Sequence, residues 1–164
     1  MKFNLLITGG LGYIGSFTAK NYLKKTKKKL FVVDNLSRGN FFAKKYSNNS
    51  ILDISNSKLT KIIKKKKINT IIHLASLTCV RESIKKKRKY FNNYKSQIKF
   101  INNIKNTGVK YFIFSSSLSV YEKNRYKKNL SPYSLYKLKI EKYLKIISSK
   151  NFKVIILRYP NIIG

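Results

Sequence analysis

Phe3-Asn4-Leu5-Leu6-Ile7-Thr8-Gly9-Gly10-Leu11-Gly12-Tyr13-Ile14-Gly15 is the stretch that decides the fold. An apolar run, Phe3 to Ile7, is cut short by glycines and reads as a buried strand. Past the glycines, Tyr13, Phe17, Tyr22 and Leu23 form a loose helical stripe over residues 13–25. The loop between fits both Gly-x-x-Gly-x-x-Gly (Gly9, Gly12, Gly15) and Gly-x-Gly-x-x-Gly (Gly10, Gly12, Gly15). Such glycines permit a tight turn, close backbone approach to a pyrophosphate and close packing of helix on strand. The helix amino terminus adds N–H groups and the positive end of its dipole. Glycine turns alone are common, but here a strand precedes, a helix follows, and Asp34 ends the second strand about 20 residues on. A carboxylate there accepts hydrogen bonds from a ribose diol and repels a 2′-phosphate. The expected ligand is a dinucleotide, NAD in preference to NADP, with Arg38 nearby pulling the other way.

The same alternation continues outward. Leu30 to Val33 reads as a strand, Ile51-Leu52 as part of a third, and 59–66 as a helix with Ser55, Asn56 and Ser57 as capping candidates. Strands follow at 70–74, 109–114 and 154–157. Helices are expected at 89–106, closed by Gly108, and from Ser131-Pro132 to about Ser149. Strands alternating with helices, and apolar on both faces, predict an α/β fold: a doubly wound parallel sheet covered by helices on each side. No linker or repeat divides the chain, so residues 1–164 are expected to form one domain.

Of 164 residues, 37 are Lys or Arg and 5 are Asp or Glu, a net charge of +32. That balance invites a nucleic-acid reading. The lysine runs, 24–25, 27–29, 64–67 and 85–89 (with Arg88 inside), are however scattered near helix ends and loops. Lys, Asn, Ile, Phe and Tyr are all abundant and all have AT-rich codons, so drift of base composition onto solvated positions is the favoured account. No specific nucleic-acid partner is expected. With 43% hydrophobic residues the chain has enough apolar material for a core. A single cysteine, Cys79, and no apolar run of about 18 residues point to a soluble, cytoplasmic protein with no membrane association. The first residues faintly resemble a signal peptide, but glycines replace the expected cleavage site.

With these residues in view, the sequence resembles the extended short-chain dehydrogenase/reductase (NAD-dependent epimerase/dehydratase) family, a Rossmann-like fold. The likeness runs through Thr8–Ser16, 33–37 (VDNLS), Asp53-Ile54, 68–76 (INTIIHLAS), 80–83, 90–93, 109–121 (VKYFIFSSSLSVY), 132–137 and 157–164 (LRYPNIIG). The resemblance implies an NAD-dependent 4-epimerase of nucleotide sugars, in the class interconverting UDP-glucose and UDP-galactose. It places Tyr13 and Ile14 by the pyrophosphate, Asp34 and Asn35 by the adenosine ribose, and Asp53 and Ile54 by the adenine. Leu74, Ala75 and Ser76 would line the dinucleotide, with Asn93 below and Asn161 on the nucleotide sugar. His73, the only histidine, matches a structural position. No metal site is implied.

Tyr133 and Lys137 stand four residues apart at the start of a predicted helix, so both fall on one face. An ammonium beside a phenol favours the phenolate and is expected to lower the tyrosine pKa, as would an oxidised nicotinamide. The tyrosine could then take a sugar hydroxyl proton while the cofactor accepts hydride. By resemblance Ser117 hydrogen-bonds the reacting oxygen. Related dehydratases carry an Asp-Glu pair after that serine; Leu118-Ser119 offers no acid or base for eliminating water, which favours epimerisation.

Several positions depart from the family. Thr78 stands for a cofactor-contacting lysine, Glu122 for a glycine and Pro160 for an aromatic residue, and the stretch from Tyr121 to Pro132 is short. Family members continue with a comparable stretch that completes the sheet and adds a small sugar-binding domain. The expectation is therefore an NAD-binding part whose remainder comes from another polypeptide, or a non-catalytic NAD-binding module or remnant. The resemblance further implies a homodimer through helices 89–106 and 131–149, forming a four-helix bundle.

Overall fold

The computed structural model describes residues 4–26, 28–39, 48–121 and 130–162. In chain order these form β1 (Leu5–Thr8), α1 (Tyr13–Lys25), β2 (Leu30–Asp34), β3 (Asn48–Ile51), α2 (Ser57–Lys65) and β4 (Thr70–His73). Then come α3 (Val80–Lys85), α4 (Lys87–Ile104), β5 (Tyr111–Ser117), a 3-10 turn (Leu118–Tyr121), α5 (Pro132–Ile147) and β6 (Lys153–Tyr159). All six strands are parallel, in the order β3-β2-β1-β4-β5-β6. Leu5 sits between Leu30 and Thr70, and His73 between Thr8 and Phe114. The doubly wound parallel sheet is therefore present as expected.

Alternation along each strand sends side chains to two cores. On one face Leu6, Ile71, Phe112 and Phe114 pack with α2 (Leu59, Ile63), α4 (Phe100, Ile101, Ile104) and α5 (Ile140, Leu144). On the other, Leu5, Ile7, Leu30 and Val32 pack with Leu11 and with Ala19 of α1. Helices therefore flank the sheet on both sides, with α1 packed on β1 and β2, while β6 keeps Ile155 and Leu157 exposed.

Local chemistry sets the element ends. Asn56, one of the three capping candidates, caps α2 by accepting from the Lys58 amide at 2.9 Å. Ser131 caps α5 from the Ser134 amide at 3.2 Å, with Pro132 in the first turn. Gly108 adopts φ +88° as a turn glycine, but α4 is capped at Lys105, so it turns the chain toward β5 rather than closing the helix.

Candidate active site

The strand order reverses at β1, with β2 to one side and β4 to the other; ligands of doubly wound sheets bind at such a crevice, beyond the carboxyl ends of the strands. Gly9 leaves β1 with φ +68°, and a Cβ there would lie 2.6 Å from the Ala75 amide nitrogen. A Cβ on Gly15 would come within 2.2 Å of the Gly9 carbonyl oxygen. The loop is thus pressed flat between β4 and α1, as the glycine spacing predicts. Gly12 caps α1 without a side-chain bond, and the first turn of α1 holds no acid, so nothing in the helix itself offsets the positive end of its dipole.

A cleft of about 1010 Å³ opens above this edge. Every candidate residue lines it. Gly9, Gly12, Tyr13, Ile14 and Gly15 come from the loop, Asp34 and Asn35 from the end of β2, and Asp53 and Ile54 from the segment after β3. Leu74, Ala75 and Ser76 follow β4, Asn93 comes from α4, and Ser117, Tyr133, Lys137 and Asn161 close the far wall. Thr78, Arg38 and Pro160 line it too. Glu122 lies outside the described residues, as does most of the short stretch before Pro132.

At the β2 end, Asp34 has a duty that the spacing did not reveal. Its Oδ2 accepts from the Leu11 amide at 3.0 Å and its Oδ1 from the Leu36 amide at 2.8 Å, which ties the glycine loop to the next turn. Asn35 Nδ2 donates to Asp53 Oδ2 at 2.7 Å. Burial pushes the Asp53 carboxyl up, but hydrogen bonds from Ser55 and Asn35 outweigh it and hold the group below its ordinary range. Asn93 Oδ1 accepts from the Leu77 amide at 3.3 Å and from buried Gln97 at 2.8 Å. Gln97 was not singled out by the sequence; a polar residue inside a long amphipathic helix gives no local signal.

The candidate reacting groups, Ser117, Tyr133 and Lys137, meet at the carboxyl end of β5. Lys137 Nζ is buried and donates to the Ser115 carbonyl at 2.6 Å; it lies 4.8 Å from the Phe114 ring centroid and 6.0 Å from that of Tyr133. Burial pushes its pKa down to about 7, against the pull of Glu141. The Ser117 hydroxyl accepts from the Ser119 amide at 3.2 Å, which leaves its proton available. Tyr133 departs from expectation: its pKa is raised, because burial outweighs a hydrogen bond with Ser117. The lysine charge is spent partly on the Ser115 carbonyl and does not by itself bring the phenol down.

Behind these groups, Glu141 is fully buried and bound two-fold by Arg158 of β6, Nε to Oε1 at 3.0 Å and Nη2 to Oε2 at 2.6 Å. Ser116 donates to the same carboxylate at 2.5 Å. This cross-brace fixes α5 against β5 and β6, and thereby Lys137. His73 is structural as expected: Nδ1 lies 2.7 Å from Thr8 Oγ1, and its ring stacks on Phe100 and Phe114. Among the described residues no cluster of His, Cys, Asp or Glu could hold a metal ion, and no helix is long and apolar enough to cross a membrane.

A glycine-cradled cleft thus lies at the switch point of a doubly wound sheet, with Ser117, Tyr133 and Lys137 at one end. The family model for the NAD-dependent epimerase/dehydratase family matches residues 5–164, and the chain belongs to that family. It is 34% identical to the UDP-glucose 4-epimerase of Pasteurella multocida, over 98% of this chain and 53% of that protein. Among solved structures it resembles the UDP-Glc/GlcNAc 4-epimerase of Campylobacter jejuni (TM-score 0.87, 32% identity, 96% of this chain and 53% of that one). The UDP-glucose 4-epimerase of Brucella ovis, solved in complex with NAD, matches with TM-score 0.88 at 29% identity, over 97% of this chain and 52% of that one. The chain spans about half the length of the curated relatives it matches.

Proposed function

We propose that residues 1–164 form the NAD-binding domain of a nucleotide-sugar 4-epimerase acting on the UDP-glucose/UDP-galactose class, in the cytoplasm. The observation that carries this reading is that Ser117, Tyr133 and Lys137 share one cleft with the glycine loop and Asp34. The cradle suits a dinucleotide: its glycines leave the loop backbone bare, and the α1 dipole faces the cleft. Gly9, Gly12, Tyr13, Ile14 and Gly15 would hold the pyrophosphate, Asp34 and Asn35 the adenosine ribose, and Asp53 and Ile54 the adenine. Leu74, Ala75, Ser76 and Asn93 would flank the remainder of the cofactor, and Asn161 the nucleotide sugar.

When bound, the cofactor supplies reversible hydride acceptance at the sugar C4. Tyr133 takes the C4 hydroxyl proton and returns it. Ser117, its amide-fixed oxygen facing the phenol, donates to the reacting oxygen. Lys137, anchored on the Ser115 carbonyl, places an ammonium beside the phenol in the protonated fraction that falls as pH rises through about 7. Burial raises Tyr133 in the protein alone, and a bound oxidised cofactor would supply further positive charge favouring its phenolate. Leu118-Ser119 provides no acid or base for water elimination, which supports epimerisation over dehydration.

Purified chain supplied with NAD and UDP-galactose should yield UDP-glucose, and Tyr133→Phe should lower that rate by about 10²–10⁴-fold. The half-length match to the relatives supports a second reading, a module that binds NAD without turning over sugar. NAD binding by calorimetry with no sugar conversion would select it; no NAD binding sinks both. A homodimer through the helices at 89–106 and 131–149, here α4 and α5, belongs to the first reading, and no sequence-specific nucleic-acid partner is proposed.

A further inference from the structure

The mechanism leaves Arg38 and Glu82 unused. Arg38 follows β2 by four residues and lines the cleft close to Asp34, where a cation would meet a phosphate on the ribose 2′ oxygen. Its guanidinium does not stand free. Nη2 donates to Glu82 Oε2, joining the loop after β2 to the first turn of α3, 44 residues away. Glu82 is well held at this spot. Its amide donates to the Cys79 sulfur cap at 3.4 Å, and its carboxylate accepts from Lys89 Nζ at 2.8 Å and lies 3.1 Å from the Tyr90 hydroxyl. The Glu82 side chain is 17% exposed against 42% for Arg38, so the carboxylate is the more enclosed partner of the pair.

We propose that Glu82 is a cofactor-specificity residue: by holding Arg38 against α3 it withholds the cation that would otherwise receive a 2′-phosphate. The inference rests on the dinucleotide reading of the cleft. Asp34 alone is a partial barrier, because both its oxygens already accept backbone amides. A guanidinium recognises phosphate through its fork, and a fork committed to a carboxylate has fewer donors left to offer. Preference against the 2′-phosphate thus comes from two acids, one repelling it and one occupying its receptor.

Calorimetry with adenosine 2′,5′-bisphosphate and adenosine 3′,5′-bisphosphate tests this, since the two carry equal charge and the background attraction to a +32 protein cancels. Adenosine 5′-monophosphate reports on the cleft itself. Wild type should bind the monophosphate and show no preference for the 2′ isomer. Glu82→Gln should shift the 2′-to-3′ affinity ratio about three- to fivefold, the range expected on releasing a partly exposed ion pair. Adding Arg38→Met to Glu82→Gln should restore the wild-type ratio. If Glu82→Gln does not fold, Glu82→Asp, too short to keep the Arg38 contact, should shift the ratio in the same direction. An unchanged ratio, or a shift that survives in the double variant, overturns the role of Glu82 while the cleft stands. Failure of the monophosphate to bind overturns the dinucleotide reading itself, and the inference with it.

Discussion

Between pH 6.5 and 5, His73 is the only side chain of this protein whose ordinary titration range is crossed, because the chain has one histidine. Its burial, with the charge of Lys137 second, pushes the folded-state pKa down to about 3 from 6.5. Over that interval the unfolded chain binds a proton that the folded protein refuses, so stability falls as pH falls, by about 1.4 kcal/mol per unit below 6.5. Urea midpoints at pH 7 and pH 5 should therefore differ by about 2 kcal/mol of stability. In His73→Phe the ring still stacks on Phe100 and Phe114, and the Thr8 hydroxyl loses a partner at every pH. That variant should be less stable at pH 7 yet lose only about 0.4 kcal/mol between pH 7 and pH 5, the part that comes from Lys137, whose folded pKa is pushed down to about 7. Equal slopes in the two proteins would mean that the imidazole is protonated in the fold. The sequence could mark His73 as structural through family likeness, but not its pKa, which depends on three phenylalanines from two other elements.

Elements with strong local signals were legible, and the weak ones were not. The β1–loop–α1 unit and β2 fall close to where apolar runs and glycines place them. Helix α3 was missed because Val80–Lys85 is too short to show a period and is capped by a cysteine sulfur, a residue outside the usual capping set. Most of β3 was missed for a different reason: Asn48-Asn49-Ser50 is polar, and an edge strand needs little apolar surface. At the end of α2 the chain uses Lys67 at φ +50°, with the Ile68 amide on the Ile63 carbonyl and the Lys67 amide on the Lys64 carbonyl, a Schellman closure in which glycine is usual. A side chain in that left-handed region costs roughly 1–2 kcal/mol, so Lys67→Gly should stabilise the fold by about 1 kcal/mol after the entropy lost to a more flexible unfolded chain. Thermal or urea unfolding measures it. A variant less stable than wild type would show that the lysine stem contributes packing worth more than the strain.

At the scale of the molecule, strand–helix alternation was enough for the doubly wound sheet and spacing for the glycine loop with Asp34, whereas Asn93, Ser117 and Asn161 were legible only as a family pattern. No local period says that Ser117 and Asn161 converge; parallel topology does, by bringing strand ends to one edge, and α4 packed on the sheet brings Asn93 to it. The same scale governs association. On the surface shared by α4 and α5, Tyr94 stacks on Tyr136 at 5.0 Å between ring centroids, and Phe91, 42% exposed, packs at their edge. An aromatic face of this kind favours pairing, while a charge of +32 on each copy opposes it over a screening distance of about 10 Å at 0.1 M salt and about 3 Å at 1 M. Apolar burial, by contrast, does not weaken with added salt. The balance should therefore tip with ionic strength: sedimentation should find monomer near 0.05 M salt, where the screening distance is about 14 Å, and dimer toward 1 M. Phe91→Lys, placing a further cation on that face, should keep the protein monomeric throughout the series while lowering its stability by no more than about 1.5 kcal/mol, the cost of its ring contacts with Tyr94 and Tyr136. Monomer at every salt concentration in the wild type would remove the dimer from the proposed function, and a dimer that persists in Phe91→Lys would place its contact elsewhere than on this pair of helices.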